Sequence, residues 1–469
     1  MVWSIALREI TDNVQSLKFL LGFLLTSILF GVSGWTFTDR YIRAIEDYYM
    51  HTNHNLSEIR RWAGDLSKVA VGQQTIYRKP KVLEVIVGGS EELLPNSLKV
   101  NAFSVGYPEN LSRGNFLLPS TVLDWNFVIT LILSMLALVL TYDSFSGERE
   151  RGTLSLLMAN PIPRYKVVIS KYIGGILSLA IPFSSGVLIN LLIVSRSVPL
   201  DTNQWLKVIA IYAVSIAYLS TFVLMGLLVS VRARRSSTSI VVLLLIWVVL
   251  VAIVPGCGRI VADRVYKVPG RAEVEERIEE VRRDIWDRRT RPPSRAGYSI
   301  QDPFKDEWAR ARAEMFNEMT EARNRILERY TAQLMEQILL TRVFLRVSPA
   351  CAYLFASEAI AGTGIVGFEN FYKQVIRYRK TLMDWVLDED RRDPNSPHLV
   401  YAVQFQGRTL APFISKKPVD FKAIPKFQEV EPTPTASLRQ ALWDICLLIV
   451  LNVGLFIGTY ASFSRRDIV

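Results

Sequence analysis

Few residues in this chain of 469 are of kinds that make or break bonds. Its three histidines are His51, His54 and His398, and its three cysteines are Cys257, Cys351 and Cys446. On a helix, His51 and His54 share one face, which is half of a zinc site, but no third ligand is identifiable. The pair therefore reads as exposed histidines. The cysteine spacings match no zinc, haem or iron–sulfur pattern. A G-x-x-x-x-G-K-[ST] loop is missing, so ATP phosphates are not cradled here by that route, and there is no nucleophile elbow. What stands out is paired charge. Asp143 opens a segment in which Glu148, Arg149, Glu150 and Arg151 follow in a row, then Gly152-Thr153, the apolar piece Leu154 to Met158, and Asn160-Pro161-Ile162-Pro163. Arg164, Lys166 and Lys171 complete it. Two X-Pro steps stop a helix and push the backbone to extended geometry, which predicts a helix, a break and a second helix. The chemistry of such a segment is ion pairing and docking. No metal site and no catalytic residue is expected, and the chain is read as non-catalytic.

The surrounding composition says where that segment lies. Half of the residues are hydrophobic (50%), only 21% are charged, and the mean hydropathy is +0.21. That is too apolar for a soluble protein of this size and too charged for one buried in lipid throughout, so membrane spans plus a substantial polar part are expected. The formal charge of +11 fits a face on anionic lipid, and no basic tail or nucleic-acid motif occurs. Nucleic acid is not an expected partner; membrane lipid is.

The chain divides into five stretches. Residues 1–37 begin with an amphipathic piece, Trp3, Ile5, Leu7, Ile10, Val14 and Leu17 at helical spacing, which suits an interfacial helix. The first span, Phe19 to Phe37, follows. No small-residue cleavage site comes after it, so a cleaved signal peptide is not expected. Residues 38–121 are polar: Arg40 to Ala63 reads as helix, Val82 to Val87 and Leu98 to Val105 as strands. Residues 122–255 hold spans two to five, with the charged segment (143–166) between the second and third. Pro182 is placed as a kink in the third, and the run IVVLLLIWVVLVAIV in the fifth is the most apolar in the chain. Residues 256–437 form a larger polar stretch in which Arg271 to Arg291 and Pro303 to Leu345 read as charged helices. Within it, Val343 to Phe371 is apolar and small, and is read in the first place as the core of that polar part, and in the second as a piece packed on the outer membrane face or the partner subunit that shapes the exit of a pathway. Residues 438–469 carry the sixth span and a tail. The spans hold almost no ionisable groups, which argues against a proton- or sodium-driven carrier. Asn126, Asn190 and Asn452 are read as interhelical hydrogen-bonding groups. Arg232, Arg234, Arg235, Arg465, Arg466 and the basic residues of the charged segment all fall on one side of a six-span layout, which the Lys/Arg bias of short loops makes cytoplasmic. Cys257 and Cys351 then share the outer side, which leaves a disulfide between them open.

The wording of the charged segment resembles that between the second and third spans of ABC-2 family permeases, where E-R-E-x-G-T-L, an apolar turn, a proline and a basic residue form a coupling helix. The matching residues are Glu148, Arg149, Glu150, Gly152, Thr153, Leu154, Pro161 and Arg164, with Arg151 at the variable position. The ending Phe463 to Ile468 fits the family's F-x-R-R-D-[IV], and the large outer insertion resembles bacterial permeases grouped with copper-enzyme maturation. The resemblance implies an α-helical polytopic protein of the plasma (inner) membrane. It would have six transmembrane helices, both termini cytoplasmic, and an α/β or mainly helical extracytoplasmic domain built from two insertions. It implies a second permease copy, with a homodimer expected, and two copies of a separate ABC ATPase that bind ATP and magnesium. This chain would then hold no cofactor of its own. Two functions are expected to compete: export of a substrate, or mechanotransmission, in which the outer domain works on a periplasmic or extracellular partner and nothing crosses.

Overall fold

A computed structural model describes residues 2–88, 91, 94–108, 122–159, 162–289, 307–405, 408–411 and 413–465. Among them seven helical stretches are long and apolar enough to cross a membrane, one more than the six read from sequence. They are Leu17–Trp62, Trp125–Glu150, Arg164–Ser197, Thr202–Arg232, Ser236–Gly256, Pro349–Arg391 and Pro434–Ser464.

The first helices explain the N-terminal third. Helix α1 (Val2–Val14) keeps only Ala6 buried, leaving Trp3 and Leu7 exposed as an interfacial helix needs. Ser16 caps α2 (Leu17–Trp62) by accepting the Phe19 N–H. Sequence reading separates a span from a later polar helix. With no proline or glycine between Thr38 and Trp62 the two are one 46-residue helix. At 1.5 Å per residue it is about 69 Å long, twice the hydrocarbon core, so its second half leaves the membrane. Helix α3 (Leu66–Val71) follows, then an antiparallel pair β1 (Gln74–Tyr77) and β2 (Ser97–Val100) in the register Gln74↔Val100. The strand expected at Val82 to Val87 is instead a 3-10 turn over Val82–Val85. Its residues do not alternate in polarity, and the Glu84 carboxylate accepts the Lys81 N–H to close the turn.

The span bundle packs tightly. Helix α4 covers 125–141, and α5 (Ser146–Glu150), α6 (Thr153–Ala159), α7 (Arg164–Ser197), α8 (Thr202–Arg232) and α9 (Ser236–Gly256) follow. Helix α2 lies along α7, and a Cβ at Gly186 would stand 2.4 Å from the Phe30 ring, so that crossing needs glycine. Asn190 donates to the Phe30 carbonyl at 2.8 Å, the glue role expected of it. Helices α4 and α9 each contain a π-helical segment, Val128–Leu133 and Val248–Ile253. A carbonyl in each is taken by an outside hydroxyl: Tyr218 donates to Thr130 O at 3.2 Å, and Ser348 to Leu250 O at 2.5 Å.

The larger polar stretch contributes α10 (Gly258–Val265), α11 (Arg271–Arg289), α12 (Glu307–Leu345), α13 (Pro349–Ala361) and α14 (Gly364–Arg391). It ends with the pair β3 (Val403–Phe405) and β4 (Arg408–Leu410), before α15 (Pro434–Ser464). The reading of 343–371 as one polar-domain core is corrected. Helix α13 buries every residue except Leu354 and packs against α8 and α15, inside the span bundle. Ala350, Ala352, Ala356 and Ala359 are small enough for it to fit between them, and Tyr353 stacks on Tyr218 at 4.9 Å. The chain turns at Gly362 and Gly364, both at positive φ (75° and 63°), and α14 leaves the bundle. Phe368, Phe371, Val375, Leu382 and Val386 of α14 then join Ile59, Val69, Leu98, Val274 and Leu334 in a second core. Both polar insertions thus build one mainly helical lobe with two small sheets. The turn is clamped by the first insertion: the Glu91 carboxylate accepts Gly364 N–H at 2.6 Å and pairs with Arg78, and Lys81 donates to Gly362 O.

Candidate functional site

The charged segment has the predicted break at its prolines, with the following helix starting at Arg164 after Pro163, and it also breaks once earlier. Helix α5 stops at Arg151, and Gly152 at φ 73° reverses the chain into α6. No atom crowds a Cβ there, so glycine is required for its backbone and not for space. Thr153 Oγ1 donates to Glu148 O at 3.2 Å and Ser155 Oγ to Gly152 O at 2.7 Å, tying the turn together. Leu154 is 2% exposed and pinned in the bundle core, while Leu156 on the other side of α6 is 70% exposed. Pro161 lies outside the described residues; the second helix starts at Arg164.

Each charge of α5 reaches a different helix. Lys171, on the first turns of α7 and 1% exposed, donates to Glu148 Oε1 at 2.9 Å and to Glu9 Oε2 of α1 at 3.1 Å. Arg149 donates to Ala233 O at 2.6 Å and Val231 O at 3.3 Å, the orphan carbonyls at the end of α8. Glu150 accepts the Ser236 N–H at 2.9 Å and its hydroxyl at 3.0 Å, supplying α9 with an anionic N-terminal cap. Arg151 is exposed. Just before α5, Asp143 pairs with Lys18 of α2 at 3.1 Å, and the Ser230 hydroxyl accepts Phe145 N–H and Ser146 N–H at 3.0 and 3.1 Å. Arg164 donates to Phe463 O at the end of α15, whose ring meets Phe145 at 5.0 Å. The five-residue helix therefore holds the ends of α7, α8 and α9 directly and α1 through Lys171, while its neighbours Asp143, Phe145 and Arg164 tie in α2 and α15.

Two partners in this network go beyond the sequence reading. It treats Lys171 as the last basic residue of a surface segment and gives Glu9 no role. The signal for Lys171 is its position: a lysine inside the apolar run VVISKYIGG needs a buried counter-charge. Nothing local points to Glu9, because α1 meets α7 only through folding.

The other candidates resolve as structural. His51 stacks flat on Tyr77 at 4.6 Å and His54 lies 3.9 Å from Glu58, and among the described residues no group of three or more His, Cys, Asp or Glu is placed to hold a metal. Cys257, Cys351 and Cys446 are free thiols. His398, at φ 55°, faces the buried Asp390 at 3.2 Å. The nearby Ser396 and Ser415 both give their hydroxyl hydrogens to aspartates, Asp390 and Asp393, so the group braces a turn and activates no nucleophile. Hydrogen bonds from Ser415 and the Asn395 N–H hold the Asp393 carboxyl below the ordinary range. In the clamp beside Gly362, burial and the neighbouring Glu91 push the Glu84 carboxyl up to about 7.

The family described as "ABC-2 family transporter protein" matches residues 3–468. Among curated proteins, the chain is 38% identical over 63 residues to the "Probable ABC transporter permease protein NosY" of Pseudomonas aeruginosa. It is 36% identical over 64 residues to the protein of the same name in Stutzerimonas stutzeri. These stretches cover 13% and 14% of this chain and 23% of either relative, so the likeness to them is local.

Proposed function

The chain belongs to the ABC-2 transporter family, and from that premise we propose that it is the permease subunit of an ATP-driven exporter in which α5 and α6 receive force from a separate ATPase. The observation that carries this reading is the wiring of α5. Ion pairs and caps link it to the ends of α7, α8 and α9, and to α1 through Lys171, so a push on the exposed α6 face reaches these helices together. Glu148, Arg149, Glu150, Gly152, Thr153, Leu154 and Arg164 hold the element, and Arg151 and Leu156 face the ATPase; Pro161, outside the described residues, is carried from the family motif alone. ATP and magnesium bind on the partner, two copies of which serve a permease dimer.

In this reading the crossings number six. Helix α13 is 13 residues, about 20 Å, and too short to cross alone; it packs between α8 and α15 and leads into the lobe at Gly362. The termini and α5–α6 then face the cytoplasm, and the lobe faces outward. A second reading, mechanotransmission to an outer partner, is favoured by one feature: α13 is at once part of the bundle and continuous with the lobe, so span movement is passed directly to α14.

The test is hydrolysis by the ATPase in lipid nanodiscs, with wild-type permease against Glu148→Ala plus Arg149→Ala. Lost stimulation with an intact fold is the expected result. Unchanged binding and hydrolysis would make α5–α6 an ordinary charged loop.

A further inference from the structure

The end of α12 and the turn that follows it, Ile338 to Val347, have an unusual distribution of surfaces. Ile338, Thr341, Arg342 and Leu345 face inward and are nearly inaccessible, at 7% exposure or less. Leu345 packs with Cys351 and Phe355 of α13 and with Val254 at the end of α9, so this part of the lobe helix sits at the level of the bundle. Both charges of the stretch are consumed inward. Arg342 pairs with the buried Glu358 of α13 and lies over the Phe355 ring at 4.4 Å; Arg346 pairs with Asp444 of α15, itself 2% exposed. The opposite face is left without charge: Leu339 is 42% exposed, Val343 54%, Phe344 55% and Val347 74%.

A helix end that is apolar on both sides, with its arginines turned onto acidic partners, is at odds with a surface in water. The exposed face also continues an apolar surface. Ile253 of α9 and Ile260 of α10 are 51% and 66% exposed, and α10 is fixed to α12 by Gln337, which donates to Ala262 O and Tyr266 O at 3.2 and 2.6 Å. The polar boundary is sharp, since Glu336 on α12 and Arg264 on α10 are exposed one turn away. From Leu339 to the helix end at Leu345 the rise is about 9 Å, a depth that fits within one leaflet's share of the hydrocarbon core.

We propose that this end of α12 is seated in the lobe-side leaflet, with Leu339, Val343, Phe344 and Val347 against lipid acyl chains, so that the lobe is anchored in the bilayer by a segment that does not cross it. The two inward ion pairs neutralise the arginines at that depth. The inference rests on the reading of α9 and α15 as crossings.

The test uses the full-length chain with Cys257, Cys351 and Cys446 replaced by alanine, and bimane- or spin-labelled single cysteines in proteoliposomes. Val343→Cys and Val347→Cys are compared with Leu245→Cys, on the apolar face of α9, and Glu336→Cys. Lipids brominated on the acyl chains should quench labels at 343, 347 and 245 alike, and a water-soluble nickel chelate should reach 336 but not the other three. Nickel access at 343 and 347, with 245 still quenched, would overturn the proposal. So would protection from both reagents together with a 343–343 disulfide between copies, because a second chain would then cover the face. Absence of quenching at 245 would instead sink the span reading, and this inference with it.

Discussion

Replacing Lys171 by methionine removes the one cation shared by Glu9 and Glu148 while keeping the volume of the side chain. Removing one member of a buried ion pair costs about 3–5 kcal/mol, because the partner charge is left uncompensated. Here the two carboxylates keep 17% and 27% of their side-chain surface, so water offsets part of the loss, and about 2–3 kcal/mol is expected. That is below the stability of an ordinary domain, so the chain should stay folded and the loss should appear as local opening of α5 and α6. At tenfold per 1.4 kcal/mol, amide exchange in peptides spanning 146–158 should quicken roughly 30- to 150-fold. Hydrogen exchange in nanodiscs reads this directly, with α8 as an internal reference. Changing Glu9→Gln and Glu148→Gln along with Lys171→Met removes all three charges and should restore most of the protection. Exchange at the wild-type rate in the single variant, or an even loss across α2, α7 and α8, would refute the view that Lys171 locks the segment.

Three further outcomes are expected. Arg149→Ala frees the carbonyls of Val231 and Ala233; at about 1–2 kcal/mol the cost is modest, and the reading is that ATPase stimulation drops while complex formation persists. Equal stimulation would remove Arg149 from force transfer. At the clamp, Gly364→Ala must hold a left-handed backbone and places a Cβ 2.5 Å from the Glu358 carboxyl carbon, so a loss of about 3 kcal/mol and a lower Tm are expected; Gly256→Ala, with open space around it, is the silent control. Glu84 gives a pH signature. Its carboxyl is raised from 4.5 to about 7 by burial and then by Glu91, so the folded chain holds a proton that the unfolded chain has lost. Its contribution is therefore full below 4.5 and is lost as pH rises to about 7, by at most about 3 kcal/mol. Glu84→Gln should flatten stability across that window; an unchanged slope would assign the dependence elsewhere.

The clamp and the charged segment sit at opposite ends of one bundle and share a design. Each holds a glycine at positive φ, Gly152 at one end and Gly362 with Gly364 at the other, and each is gripped by charges from distant parts of the chain. Between them α5 touches α8, α8 packs on both α4 and α13, and α13 adjoins the lobe helix α14.

Much of this was legible one residue at a time. Composition separates membrane from polar stretches, the charged block marks α5, and the IVVLLLIWVVLVAIV run marks α9, because each depends only on local hydropathy or on residues adjacent in the chain. The helix–break–helix form of the charged segment follows from local backbone preference: α7 starts at Arg164 directly after Pro163, and a further break falls at Gly152. Three things needed the folded chain. Whether 349–361 lies in the lobe or the bundle depends on which surfaces its alanines meet, and its sequence suits either. The continuation of α2 beyond the membrane depends on the absence of any break, which hydropathy does not report. The partners of Lys171, Arg342 and Arg346 are 162, 16 and 98 residues away, for Glu9, Glu358 and Asp444 respectively. Ion pairs at such separations are set by how helices cross, and no local pattern encodes the crossing.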